Sequence, residues 1–160
     1  MKVGTLLQET QFYIVKEIHS DYITVTINGQ EVNLGTKYVE KYVISADEYS
    51  STKKMSRTDL NHFVKTKQGT LMTLCFDKQV DLDNVKKLLD AGKIAETKQA
   101  LIPEQRIIKG VHHGLDEHGR YNFIDMELPK ESGSYDSRLR HVDPRTIKYC
   151  ICAGVKYECK

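Results

Sequence analysis

The side chains best suited to chemistry are concentrated in the last third of the chain. The group consists of His112, His113, Asp116, Glu117 and His118, followed by Asp125 and Glu127. These residue types bind divalent metals and act as general acids and bases. One hypothesis is therefore a metal-dependent hydrolase or nuclease that uses His112, Asp116, Asp125 and Glu127.

The spacing within this group does not match a metal site. His112 and His113 are adjacent on a predicted strand, so their side chains point to opposite faces unless a bulge intervenes. Residues 116–118 fall in a predicted turn, where polar side chains are common. The sequence therefore favours a mixed polar surface hairpin and predicts no bound metal and no cofactor.

A nuclease core would need an acidic pair and a lysine at close spacing. Asp125, Glu127 and Lys130 supply these residue types, but Pro129 lies between Glu127 and Lys130 and the usual one-residue gap is missing. This departure weakens the nuclease hypothesis.

Other catalytic signatures are absent from the sequence. There is no G-x-x-x-x-G-K-[ST], G-x-G-x-x-G, H-E-x-x-H or G-x-S-x-G motif. The four cysteines form no C-x-x-C pair, and no motif links Cys150 or Cys152 to His141 as a catalytic base. We expect reduced thiols that pack in a sheet rather than a disulfide or a nucleophile. The sequence thus favours binding over catalysis.

The distribution of charge is more informative than its total. The net charge is only +2, from 24 Lys and Arg against 22 Asp and Glu, so no general attraction to nucleic acid or anionic membranes is indicated. Two segments, residues 53–67 and 138–160, are nevertheless locally basic. The residues predicted to contact nucleic acid or another partner are Lys53, Lys54, Arg57, Arg138, Arg140, Arg145 and Lys148. In this hypothesis the last four position phosphates and the first three extend the surface.

The elements that must position these residues begin with a strand-rich N-terminal segment. Residues 12–18 and 21–27 are rich in aromatic and β-branched side chains, and Asn28-Gly29 predicts a type I′ hairpin turn before the strand at 30–34. The pattern predicts an SH3-like or KOW-like β lobe over residues 1–48. The polar stretch at 45–54 is predicted to be a linker.

The remainder predicts a second, mixed lobe over residues 55–160. Ser56 is expected to cap a helix that ends near Lys65, and residues 70–76 are expected to form an inner strand. A further helix begins at Asp81 or Asp83, with a buried stripe of Val85, Leu88 and Leu89. The overall prediction is an α+β, strand-rich fold.

The C-terminal third is predicted to be an antiparallel sheet. Strands are expected at 106–114 and 120–128, joined by a turn with Gly119 in the left-handed conformation. A surface loop is predicted at 129–137. The chain then closes with a hairpin, for which we predict a three-residue loop at 153–155. That register would place Ile147, Tyr149 and Ile151 on one face.

The sequence also bears on location. Two leucines near the N-terminus are followed by polar residues, and no stretch approaches the ~20 apolar residues of a membrane span. We therefore expect a cytoplasmic protein that does not enter a membrane.

Four short runs carry a resemblance to a known group of proteins. They are Met55–Leu60, Cys75–Val80, Val142–Ile147 and Gly154–Tyr157. These runs resemble a family of small uncharacterised proteins of tailed bacteriophages, over residues 55–160 and without the N-terminal β lobe. The resemblance implies expression inside a bacterial host, where small phage proteins often bind nucleic acid or block a host enzyme. It implies no activity for any single residue.

The leading functional hypothesis is a non-enzymatic phage accessory protein that contacts nucleic acid through a basic β surface. The alternative is an inhibitor that binds a host defence or nucleic-acid enzyme by protein contacts. Metal-dependent hydrolysis is the third hypothesis.

Overall fold

The computed structural model describes residues 1–9, 11–128 and 138–160. In these ranges the chain forms four α-helices, one 3-10 helix and twelve strands arranged in two sheets. The predicted α+β, strand-rich fold is confirmed. The predicted loop at 129–137, which includes Lys130, lies outside the described residues.

The first sheet is antiparallel and contains five strands in the order β4-β3-β2-β1-β5. Its strands are β1 (Leu6–Gln8), β2 (Phe12–Ile18), β3 (Tyr22–Ile27), β4 (Gln30–Gly35) and β5 (Ile44–Ser45). Asn28 and Gly29 have φ of 48° and 78°, and Ile27 pairs with Gln30, which confirms the predicted two-residue turn. A helix, α1 (Thr36–Tyr42), joins β4 to β5 and buries Val39 in the core of this sheet. The SH3-like assignment of the lobe stays a prediction.

The second sheet contains seven strands in the order β10-β9-β8-β7-β11-β12-β6. Its strands are β6 (Ser51–Met55), β7 (Leu71–Asp77), β8 (Gln105–Leu115), β9 (Tyr121–Asp125), β10 (Leu139–Val142), β11 (Ile147–Cys152) and β12 (Val155–Cys159). Neighbouring strands are antiparallel except for β6, which runs parallel to β12. The linker prediction is wrong for residues 51–54, because the backbone of this polar segment completes the edge of the sheet while most of its side chains remain exposed.

One face of the second sheet is covered by a helix, α2 (Arg57–Thr66). Ser56 caps it as predicted, since its Oγ accepts a hydrogen bond of 3.1 Å from the backbone N–H of Asp59. Leu60 and Val64 are fully buried in a core that includes Phe123 of β9. The predicted inner strand is confirmed as β7.

The other face of the second sheet is in contact with the N-terminal segment. Leu6 and Ala46 pack with Leu71 of β7 in a third buried cluster. The Thr73 hydroxyl donates a 2.7 Å hydrogen bond to the carbonyl of Ala46. The predicted lobes therefore share an apolar and hydrogen-bonded contact, and the division of the chain near residue 50 stays a prediction.

The predicted three-residue loop of the C-terminal hairpin is wrong. Cys152 pairs with Val155, so the turn contains only Ala153 and Gly154, whose φ values are 49° and 78°. Cys150 and Cys152 face the α2 side, whereas Ile151, also buried, lies on the alternate face. The prediction assumed a half-buried sheet, but side chains are buried on both of its faces here, so a clean alternation does not identify the register.

Two short helices, α3 (Leu82–Asp90) and α4 (Ile94–Ala100), follow β7. Asp81 caps α3 by accepting a 3.1 Å hydrogen bond from the Asn84 N–H, so the predicted helix start is confirmed. The predicted buried stripe is wrong, because α3 has no buried residue and Leu89 is exposed. No helix in the described ranges has both the length and the apolar character required to cross a membrane.

Candidate functional site

The bases of the two segments predicted from the sequence are spread across the seven-stranded sheet rather than gathered in one place. Lys53 and Lys54 lie on β6, at one edge of the seven-stranded sheet, and Arg140 lies on β10 at the other edge. Six inter-strand steps of about 4.8 Å separate these edges by roughly 29 Å. A single compact ligand site cannot contain both the β6 lysines and Arg140.

Most of the C-terminal bases have acidic partners. Arg140 Nε lies 4.0 Å from Asp125 Oδ2, and Lys148 Nζ lies 3.2 Å from Asp77 Oδ2. Arg138 Nη1 lies 3.9 Å from the Met126 sulfur. The excess positive charge of this segment is therefore smaller than its count of bases suggests.

Arg57 and the two β6 lysines differ in their surroundings. The Arg57 guanidinium donates to the carbonyls of Pro144 and Ile147, so it ties the start of α2 to the segment that leads into β11. Lys53 and Lys54 have no carboxylate within 4.0 Å in the described part of the chain. Arg57 thus holds the backbone at Pro144 and Ile147 in place, whereas Lys53 and Lys54 are solvated.

A cleft of about 850 Å³ lies where three stretches of the chain meet, near the β10–β9–β8–β7 half of the sheet. Its walls come from the end of β7, the β8–β9 turn, β10 and a 3-10 helix, η1 (Pro144–Thr146). The lining residues that carry charge or can acquire it are Asp77, Lys78, His118, Arg120, His141, Asp143 and Arg145. We call this feature the cationic cleft.

Asp116 organises one wall of the cationic cleft. Its Oδ1 accepts hydrogen bonds of 2.9 Å from the backbone N–H groups of His118 and Arg120, which closes the β8–β9 turn. Its Oδ2 lies 2.7 Å from Arg120 Nε and 3.5 Å from His141 Nδ1. Burial acts to raise the pKa of the Asp116 carboxyl, but hydrogen bonds from Arg120 and His118 outweigh it and hold this pKa below its usual value. The carboxylate therefore fixes Arg120 beside His141.

Asp143 organises the opposite wall. It caps η1 by accepting a 2.9 Å hydrogen bond from the Arg145 N–H, and it also pairs with the Arg145 guanidinium at 2.7 Å. The side-chain hydrogen bonds from Arg145 lower the pKa of Asp143. Because Pro144 begins η1, the turn that presents Arg145 is rigid.

The charge balance of the cleft is slightly positive. Lys78, Arg120 and Arg145 line it, and Lys148 stands beside it through its ion pair with Asp77. Among the described residues, the carboxylates within 4.0 Å of these four permanent cations are those of Asp77, Asp116 and Asp143. Such an arrangement can hold an anion with several phosphate groups by charge-assisted hydrogen bonds.

The site combines predicted and unpredicted residues. Arg145 and Lys148 belong to the predicted set, whereas Arg138 and Arg140 are not among the described residues that line the cleft. Lys78, Arg120 and His141 were not identified as partner-binding residues. Asp116 and Gly119 mark the turn that presents Arg120, and Gly119 has the predicted positive φ of 77°. Nothing in the local sequence connects that turn to η1, so only the folded sheet brings them together.

The residues of the metal hypothesis are dispersed. His112 is buried between the rings of Tyr121 and Phe123, its Nε2 lies 3.1 Å from the Gly114 carbonyl, and burial lowers its pKa. A bulge does occur after it, between His112 and Gly114. In the described ranges no group of three or more His, Cys, Asp or Glu side chains could hold a metal ion. His112 of β8 is thus a core residue that packs against Tyr121 and Phe123 of β9.

Asp125 and Glu127 make other contacts. Asp125 accepts a 3.2 Å hydrogen bond from the Glu127 N–H, and Glu127 lies 4.0 Å from Lys109 Nζ, which also binds Asp47 at 3.0 Å. These contacts belong to the junction between the two sheets.

The cysteines are all free thiols, and three of them are buried. Burial raises the pKa of the Cys150 thiol to about 12. A buried thiol with so high a pKa is a packing residue rather than a nucleophile.

Comparison with family models, curated proteins and solved structures gives no match. The fold and the cleft define an α+β protein with a seven-stranded sheet and a cationic cleft at the ends of its strands.

Proposed function

We propose that the protein acts by binding nucleic acid, with the phosphate backbone in the cationic cleft. The observation that supports this function is that Lys78, Arg120 and Arg145, from three separate parts of the chain, line one cleft, and that Lys148 lies beside it. Phosphate contacts of this kind position a protein on nucleic acid and supply affinity that does not depend on base sequence. As a small accessory protein in a phage-infected bacterium, the chain would work by occupancy rather than by catalysis.

The two arginines are oriented for this role. Arg120 uses Nε to bind Asp116, and Arg145 uses Nε and Nη2 to bind Asp143. A guanidinium has five N–H donors, so each arginine retains donors for a phosphate oxygen while its carboxylate partner holds the plane in place. Preorganisation of this kind reduces the entropy lost on binding.

The number of cations at the cleft sets the expected affinity for DNA and its dependence on salt. With four phosphate contacts, the logarithm of the affinity should fall against the logarithm of salt concentration with a slope of about −3.6 on duplex DNA. Affinity should then fall on the order of 100-fold between 50 and 200 mM salt. The single excess positive charge predicts modest affinity at physiological salt.

The test is a fluorescence anisotropy titration of labelled single-stranded and duplex DNA at several salt concentrations. The R145Q/K148Q variant should reduce the magnitude of the duplex slope by about 1.8, because two phosphate contacts are lost. The K53Q/K54Q variant removes the same charge from the far edge of the sheet and should leave affinity unchanged. The proposal is wrong if the wild-type protein does not bind at low salt or if both variants weaken binding equally.

A further inference from the structure

An exposed apolar face on α3 and α4 is not used by the cationic cleft. Leu82 and Leu89 on α3 are 71% and 60% exposed, and Ile94 and Leu101 at the two ends of α4 are 64% and 50% exposed. Four neighbouring exposed apolar side chains form a patch, and the largest apolar patch on a protein surface is often a functional one.

These four side chains lie on the same side of a helical hairpin. Asp81 and Asn84 of the first helix share a small groove with Ala100 and Ile102, so the start of α3 is next to the end of α4 and the helices are antiparallel. Residues 82 and 89 are seven apart on α3, as 94 and 101 are on α4, and a separation of seven returns to nearly the same side of a helix. Val85 of α3 and Thr97 of α4 are less exposed than these four residues, which is the pattern expected on the sides where the helices meet. We call the outer surface of Leu82, Leu89, Ile94 and Leu101 the hairpin face.

The hairpin receives little support from the rest of the protein. The two helices contain nine and seven residues and pack chiefly against each other. Helices this short are marginal alone and depend on the burial of an apolar face. Covering the hairpin face would supply that burial.

We propose that the hairpin face is the contact surface between two copies of this chain. The exposed parts of its side chains and of the adjacent Ile102 amount to on the order of 500 Å² per copy, so their complete burial would give about 1,000 Å² in a pair. That area meets the lower bound of a specific interface. A two-fold axis would set Leu82 of one copy against Leu89 of the other, since such interfaces are isologous.

The charges of the hairpin distinguish a second copy from other occupants. Residues 81–98 contain four acids and four lysines, which are Asp81, Asp83, Asp90, Glu96, Lys86, Lys87, Lys93 and Lys98. The segment has no net charge, so two copies do not repel each other and an anionic membrane or nucleic acid gains no net attraction. In an antiparallel pair of α3 helices, the acidic first turn of one copy lies near Lys86 of the other, and the helix dipoles oppose.

Sedimentation velocity over protein concentrations from about 2 to about 200 µM tests this proposal, because a dimer depends on protomer concentration. The wild-type protein should change from monomer to dimer with increasing concentration. The L89E/I94E variant should raise the dimer dissociation constant on the order of 100-fold or more, since four charges enter the interface of each dimer. Val3 is 62% exposed and distant in sequence, so the V3E variant is the matched control and should dimerise like the wild type.

Amide hydrogen exchange of the wild-type protein supplies a measurement that does not depend on folding of the variant. Exchange in residues 82–101 should be slower at high than at low protein concentration, because the dimer stabilises the hairpin. A wild-type protein that stays monomeric overturns the proposal, whether or not it binds neutral lipid vesicles. A dimer that persists in L89E/I94E, or that forms without slowing exchange in these residues, also overturns it.

Discussion

Gly110 in β8 offers a sharp test of how the sheet beneath the cleft is assembled. Its φ is not in the left-handed region, so its requirement for glycine is a matter of space alone. A Cβ at this position would overlap the carbonyl oxygen of Ile124 and lie 3.0 Å from the Ile124 carbonyl carbon. The obstacle is backbone rather than the end of a flexible side chain, so the strands themselves must move.

The magnitude follows from the position of β8 between two partners. Gly110 pairs with Met72 of β7 on one side and with Asp125 of β9 on the other, so a shift away from β9 compresses β7. Overpacking of a rigid site typically costs 1–3 kcal/mol, and we expect G110A to lose about 3 kcal/mol of unfolding free energy. For a protein of this size that loss lowers Tm by roughly 6–12 °C.

The assay is urea unfolding followed by circular dichroism, with thermal unfolding as a second probe. A Cβ at Gly35 would have no neighbour within 4 Å, and its φ is −63°, so G35A is the matched control and should change stability by less than about 1 kcal/mol. If G110A and G35A have the same urea midpoint and the same m-value, the close approach of β8 to β9 at this point is refuted.

Three further predictions concern individual side chains. The R57A variant should lose about 1–2 kcal/mol of unfolding free energy, because two backbone carbonyls lose their donor. Urea unfolding measures this loss, and an unchanged stability would contradict the prediction. The pKa of Asp143 is lowered in the folded state by Arg145, so its stabilisation is complete above the unfolded-state pKa of about 3.9 and is lost as pH falls through the lower folded-state value. D143N should therefore lose less stability than the wild type between about pH 5 and pH 2.5 in thermal unfolding; an identical loss would refute this linkage. Cys159 is the least buried thiol, and Cys150 has a pKa of about 12. A thiol reagent at pH 8 should therefore label one cysteine rapidly. The C159S variant should abolish that fast phase.

Local features of the fold were predictable because they depend on a few adjacent residues. Asn28-Gly29 specified its turn, since both residues readily adopt positive φ. Ser56 and Asp81 specified helix starts, since each side chain accepts a hydrogen bond from an N–H three residues later. The apolar run at 71–76 identified the innermost strand of the larger sheet.

Errors arose where a local pattern needed a partner that the sequence does not identify. The register of the C-terminal hairpin was wrong because Cys150 and Ile151 are buried on opposite faces. The stripe on α3 was predicted to be buried because apolar residues at helical spacing usually face a core, yet Leu89 is exposed. The sequence of the edge strand β6 could not be distinguished from a polar linker, because β6 joins the sheet through its backbone rather than through buried side chains.

The candidate site shows the same division. The sequence by itself determined that bases cluster at 53–57 and 138–148, that the nucleotide-binding and hydrolase motifs sought are absent, and that Asp116 and Gly119 enclose a turn. Only the tertiary structure decided that Lys53 and Arg140 lie at opposite edges of one sheet, and that Arg120 and Arg145 lie beside one cleft. The physical reason is that turns and caps are governed by neighbours in the chain, whereas strand order is governed by burial of the whole sheet. Distances between charges on different strands follow from that order.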